Sequence, residues 1–146
     1  MDIDEIEIKW LGHSGFLVKN SKTIYIDPYN IKEQENKADI ILITHGHYDH
    51  CSYADIQKIV KEGTKIFVTA DAQSKVARFT IPIQIEVVEP GQEIDIGDIK
   101  IETFSSYNID KSFHPKEESW VGYLIKMNGV VIYHSGYCCL QHLAGK

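Results

Sequence analysis

At 146 residues, 43% hydrophobic and 25% charged, the chain suits one domain with one sizeable core and an ordinary globular composition. Its formal net charge of −6 repels phosphate backbones and no basic stripe offsets it, which argues against a nucleic-acid partner. The acidic opening MDIDEIEIKW is unlike a signal peptide, and no stretch approaches the roughly 18 consecutive apolar residues of a membrane span. Three cysteines, with Cys138 and Cys139 adjacent, fit a reducing cytoplasm better than a disulfide framework.

The first third reads as strands. Ile6, Ile8 and Trp10 alternate with charged residues, Phe16 to Lys19 forms a second run, and Asn20-Ser21-Lys22 turns into a third, Thr23 to Ile26. Asp27-Pro28 ends that run, because proline cannot donate to a ladder and restricts its predecessor. Asn30 to Lys37 is polar and should be a surface loop. Ala38 to Thr44 (ADIILIT) is a continuous apolar run, the pattern of a strand buried on both faces. Ser52-x-x-Asp55 is a capping box opening a helix whose apolar face is Tyr53, Ile56, Ile59 and Val60, with Gly63 stopping it.

Lys65 to Thr69 is the next strand, and Asp71 to Arg78 a short helix. Ile85 to Val88 leads into a Pro90-Gly91 turn. Glu93 to Ile96 and Ile99 to Phe104 flank a Gly97-Asp98 hairpin, Ser105 to Ser119 is a long polar loop, and Val121 to Lys126 and Val130 to Tyr133 flank Asn128-Gly129, the strongest short hairpin signal. Strands, helix, strand, helix and strands in that order predict a layered mixed α/β domain rather than a simple alternating parallel sheet.

The chemistry lies in His45-Gly46-His47-Tyr48-Asp49-His50. Four candidate metal ligands fall within six residues, directly after the buried strand, where open sheets place their crevices. Imidazole suits zinc, iron and manganese, and a carboxylate adds charge and hardness. Residues two apart in an extended loop point the same way, so His45 and His47 can share one ion while Asp49 and His50 turn toward a second. Outside the cluster, His13 in its Gly12-His13-Ser14 turn is either a group supporting the ligands or a local hydrogen-bonding residue. Asp27 reads first as a strand-end cap before proline, with orientation of a ligand as the alternative. His134 and Cys51 read as packed residues, and Tyr48 as a residue that shapes the pocket.

The run T-H-G-H-Y-D-H resembles the H-x-H-x-D-H signature of the metallo-β-lactamase superfamily. Its surroundings resemble the ascorbate-6-phosphate-lactonase-like branch of metal-dependent hydrolases. An L-G-H-S-G-F segment (Leu11 to Phe16) and an I-D-P segment (Ile26 to Pro28) precede the signature; Tyr107-Asn108, Phe113-His114-Pro115 and Trp120-Val121-Gly122-Tyr123 follow it. The resemblance covers nearly the whole chain up to Gly136. It implies an αββα sandwich, here its N-terminal part, with His45, His47 and a later histidine on a first metal and Asp49 and His50 on a second. His114, in the long loop after a strand, is the candidate for that later histidine; a surface histidine before proline is the alternative. The implied cofactor is a divalent metal, zinc or manganese or iron, as one or two ions. The implied reaction is hydrolysis of a small-molecule lactone, ester or phosphoester by metal-activated water, with Asp49 holding the second metal or orienting the water.

One departure stands out. The family pattern expects Gly-Asp-Thr after the last hairpin strand, with the aspartate bridging the metals, but Tyr133-His134-Ser135-Gly136 continues as Tyr137-Cys138-Cys139. A phenol ionises only near pH ~10 and is a poor substitute. Asp-Thr codons GAT-ACT-G read two bases late give TAC-TG, hence Tyr then Cys. Residues 1–136 are therefore expected to be an incomplete domain and 137–146 a divergent, out-of-frame tail, with the later strands, helices and final histidine of the family missing. The rival expectations are a catalytically inactive relic that binds one metal, or a metal-binding interaction domain that pairs with another chain, a homo-oligomer included.

Overall fold

The computed structural model describes residues 2–3, 5–32, 36–48, 50–105, 121–135 and 140–143. Asp49, His114 and Tyr137, three residues on which the sequence reading leans, lie outside them.

Seven strands form the first sheet: β1 (Asp2–Ile3), β2 (Ile6–Gly12), β3 (Gly15–Lys19), β4 (Thr23–Ile26), β5 (Ile40–Leu42), β6 (Lys65–Val68) and β7 (Gln84–Val87), ordered as in the chain. The pairs from β1 to β4 are antiparallel and those from β4 to β7 parallel. The change of direction follows from connection length. Short turns return the chain antiparallel, whereas a parallel return needs a crossover of a dozen or more residues. Those crossovers carry α1 (Tyr53–Gln57), between β5 and β6, and α2 (Gln73–Val76), between β6 and β7. The second sheet is antiparallel, in the order β12-β11-β10-β9-β8, from β8 (Glu93–Ile96), β9 (Ile99–Ser105), β10 (Val121–Met127), β11 (Val130–His134) and β12 (Leu140–Leu143). At the β10–β11 turn Asn128 and Gly129 both sit at positive φ, 51° and 77°, the conformation that the right-handed twist of a two-residue hairpin demands.

The central strands alternate between two cores, as a sheet covered on both faces must. Phe16, Val18, Ile24, Ile26, Ile40, Leu42 and Phe67 face the second sheet and pack on Ile101, Tyr123, Ile125 and Ile132. Leu17, Tyr25, Ile41, Ile43, Ile66 and Val68 face the helices, against Ile56, Ile59, Ala72 and Val76. Each fully buried isoleucine contributes about 1.5–3 kcal/mol over its exposed state. Among the described residues the helices cover one sheet only, giving three layers of the expected sandwich.

Three local expectations change. The helix predicted from Ser52 to Gly63 is only Tyr53–Gln57; Ile59 is still buried, carried there by a following turn. The capping box is half formed. Ser52 Oγ accepts from Asp55 N (3.3 Å), but the Asp55 carboxylate accepts from the backbone N–H groups of Asn30 (2.8 Å) and Ile31 (2.9 Å). Burial would raise the Asp55 carboxyl, but hydrogen bonds from Ser52, Asn30, Ile31 and Lys58 outweigh it and hold the pKa below its ordinary value. Consequently the loop after Pro28 is not wholly superficial, since Ile31 is buried. The second predicted helix divides into a 3-10 turn, Ala70–Ala72, and α2.

Candidate metal centre

Parallel pairing of β4, β5 and β6 brings their C-terminal ends to one rim, the place where open sheets bear sites. Asp27 follows β4, Thr44 to His50 follow β5, and Thr69 to Lys75 follow β6. Ile26 pairs with Leu42, and the ladder continues as Asp27 N donates to Leu42 O at 3.0 Å. This register sets the Asp27 carboxylate beside Thr44.

Asp27 is fully buried. A bare carboxylate in that position would be costly, so its acceptors must be filled. Oδ1 accepts from Thr44 N (2.9 Å); Oδ2 accepts from Thr44 Oγ1 (2.6 Å) and faces His50 Nδ1 at 2.7 Å. Its backbone lies at φ 45°, a left-handed position that costs a non-glycine residue about 1–2 kcal/mol. The geometry thus shows Asp27 holding His50, one of the histidines that the sequence offers as a ligand, as well as the strand end at Thr44.

The network fixes tautomers. His50 Nδ1 faces a carboxylate oxygen and so carries the proton, leaving the lone pair on Nε2. The one hydroxyl proton of Thr44 goes to Asp27, so Thr44 Oγ1 meets His45 Nδ1, 3.0 Å away, as an acceptor. His45 is then also protonated on Nδ1, and Nε2 is the nitrogen it would present to a cation. One carboxylate thus orients two imidazoles, His50 directly and His45 through Thr44.

His45, His47 and His50 converge. The His45 ring centroid lies 4.8 Å from that of His47 and 4.0 Å from that of His50. His50 comes beside His45 because the chain turns at once: His50 N and Cys51 N both donate to His47 O, at 2.9 and 2.8 Å. His45 and His50 are buried, whereas His47 is exposed, so the cluster opens to solvent at His47. Among the described residues no group of three or more His, Cys, Asp or Glu side chains forms a ready metal cage. The donor set still fits a borderline cation: three imidazoles meet at one rim, and two of them have tautomers set for Nε2 ligation. Asp49 and His114, the other named donors, fall outside the described residues.

The neighbours take simpler roles. His134 is fully buried, with Nε2 2.7 Å from Ser14 O, and burial lowers its pKa. Cys51 sits in the helix-side core, and burial pushes its thiol up to about 12, with Lys75 opposing; it is a packing residue. His13, at φ 51°, meets the Tyr29 ring edge-on at 4.8 Å, and Tyr29 meets the exposed Tyr48 likewise at 5.7 Å. Sequence reasoning missed Thr44, Asp71 and Lys75. Thr44 reads as the last residue of an apolar run, and only its hydroxyl, directly before the first histidine, hints at more.

Comparison with known proteins bears on the same elements. The chain is 30% identical, over 90% of its length and 61% of the relative's, to a protein of Thermococcus kodakarensis named a UPF0173 metal-dependent hydrolase. Its structure matches that of a candidate metal-dependent hydrolase from Parabacteroides distasonis with a TM-score of 0.80 and 28% identity, covering 90% of this chain and 60% of that one. It also matches CmlA, a diiron β-hydroxylase from Streptomyces venezuelae, with a TM-score of 0.71 and 16% identity over 92% of this chain and 30% of that one; this last likeness speaks to fold alone. The chain thus spans about three fifths of the length of the first two. The family model for the β-lactamase superfamily domain matches residues 7–143, and with the two-sheet architecture and the histidine loop at the parallel strand ends, the chain belongs to that superfamily and has the metallo-β-lactamase fold.

Proposed function

We propose that this chain is the metal-binding part of a hydrolase that uses metal-activated water to open a lactone, ester or phosphoester bond in a small molecule. The carrying observation is the buried Asp27 carboxylate that orients His50 directly and His45 through Thr44. Such a network matters when imidazole nitrogens must present lone pairs to a cation. When bound, a divalent ion supplies Lewis acidity and brings the pKa of water toward neutrality.

His45 and His50 offer Nε2 from buried, fixed rings, and His47 offers its ring from the exposed side. Asp49 and His114 complete the ligand set in this reading, with Asp49 also orienting the attacking water. Zinc, manganese or iron suits these donors. The preference for a lactone or phosphorylated sugar rests on resemblance to the ascorbate-6-phosphate-lactonase-like branch. CmlA shows that this fold also carries other chemistry.

Elemental analysis after gel filtration tests the reading, beside a panel of lactones and phosphodiesters assayed with manganese or zinc. About one tightly held equivalent per chain is expected, because Tyr137 stands where the bridging aspartate belongs. His45→Ala or His47→Ala should abolish retention. A chain that holds no divalent metal at micromolar concentrations would overturn the reading.

Tyr137 also favours a second reading, a metal-binding but catalytically inactive chain. It predicts little turnover by the 146-residue form, recovery when the Gly-Asp-Thr frame and its downstream sequence are restored, and no recovery from Tyr137→Asp alone. Equal turnover by the 146-residue and restored forms would exclude it.

A further inference from the structure

The histidine loop has a second set of supports, on the side away from Asp27. Asp71 and Lys75 follow β6, whose parallel pairing with β5 brings them to the same rim. Asp71 Oδ2 accepts from Gly46 N at 3.0 Å, Lys75 Nζ donates to Gly46 O, and Thr69 Oγ1 donates to Asp71 Oδ1 at 2.5 Å. The two contacts hold different peptide planes: the Gly46 N–H belongs to the bond from His45, and the Gly46 carbonyl to the bond toward His47. We infer that Asp71 and Lys75 are positioning residues that clamp the two peptide planes flanking Gly46 and so fix His45 and His47 relative to each other.

Three observations carry this. First, the contact is close enough to dictate the residue: a Cβ on Gly46 would come within 2.9 Å of Asp71 Oδ2 and 3.0 Å of Asp71 O. No larger residue fits without moving the loop or the 3-10 turn. Second, the polarity is matched. A carboxylate takes the N–H and an ammonium the carbonyl, and bonds to charged groups are stronger than neutral ones. Third, the clamp adds to the anchors already seen along the loop backbone. Thr44 N is held by Asp27, Thr44 O by Val121 N at 3.0 Å, and His47 O by His50 N and Cys51 N. Gly46 is the remaining residue between the first two histidines, and Asp71 and Lys75 hold both of its polar groups. Since β6 follows β5 through a crossover, the clamp also ties the orientation of His45 and His47 to the docking of α2 on the sheet.

This inference rests on the loop being a metal site, and the test separates the two ideas. Zinc alone is the probe. Dissociation constants are read by chelator competition for the parent, Asp71→Ala, Lys75→Met and Asp71→Asn. Amide exchange at Gly46 and thermal midpoints are measured on the metal-free proteins. Asp71→Ala and Lys75→Met should each weaken zinc binding about tenfold or more, with midpoints close to the parent's. Asp71→Asn should retain most of the affinity, since its amide oxygen can still accept from Gly46 N. The Gly46 amide should be protected in the parent and exchange faster in Asp71→Ala. Parent-like zinc affinity in both Asp71→Ala and Lys75→Met would overturn the inference, as would an unprotected Gly46 amide in the parent. A parent that binds no zinc defeats the metal reading, while exchange at Gly46 still decides whether the clamp exists.

Discussion

Replacing Asp27 by asparagine separates its structural role from its proposed role in orienting metal ligands. The substitution keeps shape and removes charge. An asparagine oxygen in place of Oδ1 still accepts from Thr44 N, at 2.9 Å in the parent. The opposite amide orientation would set NH2 against that N–H, two donors face to face. The NH2 group therefore takes the place of Oδ2 and donates to Thr44 Oγ1 and His50 Nδ1, which lie 2.6 and 2.7 Å from Oδ2. His50 must then accept on Nδ1 and carry its proton on Nε2. The Thr44 hydroxyl, no longer able to donate to residue 27, turns to His45 Nδ1, so His45 is also protonated on Nε2. The groups that contact residue 27 stay paired, so stability should fall by only about 1 kcal/mol as charged bonds become neutral ones. Both nitrogens proposed as ligands would carry protons, however, so zinc affinity should fall about 10–100-fold. Asp27→Ala is the contrast. It strands the Thr44 N–H and the His50 Nδ1–H, at about 1–3 kcal/mol each, for a loss of roughly 2–6 kcal/mol. Urea denaturation, chelator competition and imidazole nitrogen–proton correlation spectra of the parent and Asp27→Asn measure these quantities. If Asp27→Asn keeps protons on Nδ1 of both histidines, or binds zinc as the parent does, Asp27 does not set the tautomers and the reasoning fails.

Other substitutions probe the frame around the site. Tyr123→Phe removes the hydroxyl that donates to Ile43 O at 2.8 Å and should cost about 1–2 kcal/mol in urea denaturation with an unchanged m-value. Gly122→Ala would press a Cβ to 2.8 Å from His134 O, a backbone atom that cannot rotate away, and should destabilise by about 1–3 kcal/mol. His134 has its pKa lowered by burial from an ordinary 6.5. Its contribution is complete above pH ~6.5 and is lost as pH falls from there through the folded value, because the unfolded chain takes the proton first. The thermal midpoint of the metal-free protein should therefore drop on acidification, and His134→Gln should shallow that slope; an identical slope in the variant would assign it to other groups.

Much of the fold was legible in the chain because its signals are local. Alternation marks strands with two faces, an unbroken apolar run marks ADIILIT as buried on both, and Asn128-Gly129 can only turn one way. The spacing of His45, His47 and His50 likewise marks a histidine cluster at a strand exit. Helix lengths were less legible: Ser52 to Gly63 carries helical spacing, but Asp55 is drawn off to the Asn30 and Ile31 amides and the helix stops at Gln57. What sequence spacing could not give is which residues meet across the rim. Asp27 is 17 positions before Thr44 and 23 before His50, and Asp71 is 25 after Gly46. They become neighbours only because β4, β5 and β6 run parallel and end together. The same carboxylate would be an ordinary strand cap without that register. Periodicity along a chain reports which face a residue occupies, whereas the pairing of parallel strands decides what stands opposite it, and here that pairing orients the histidines.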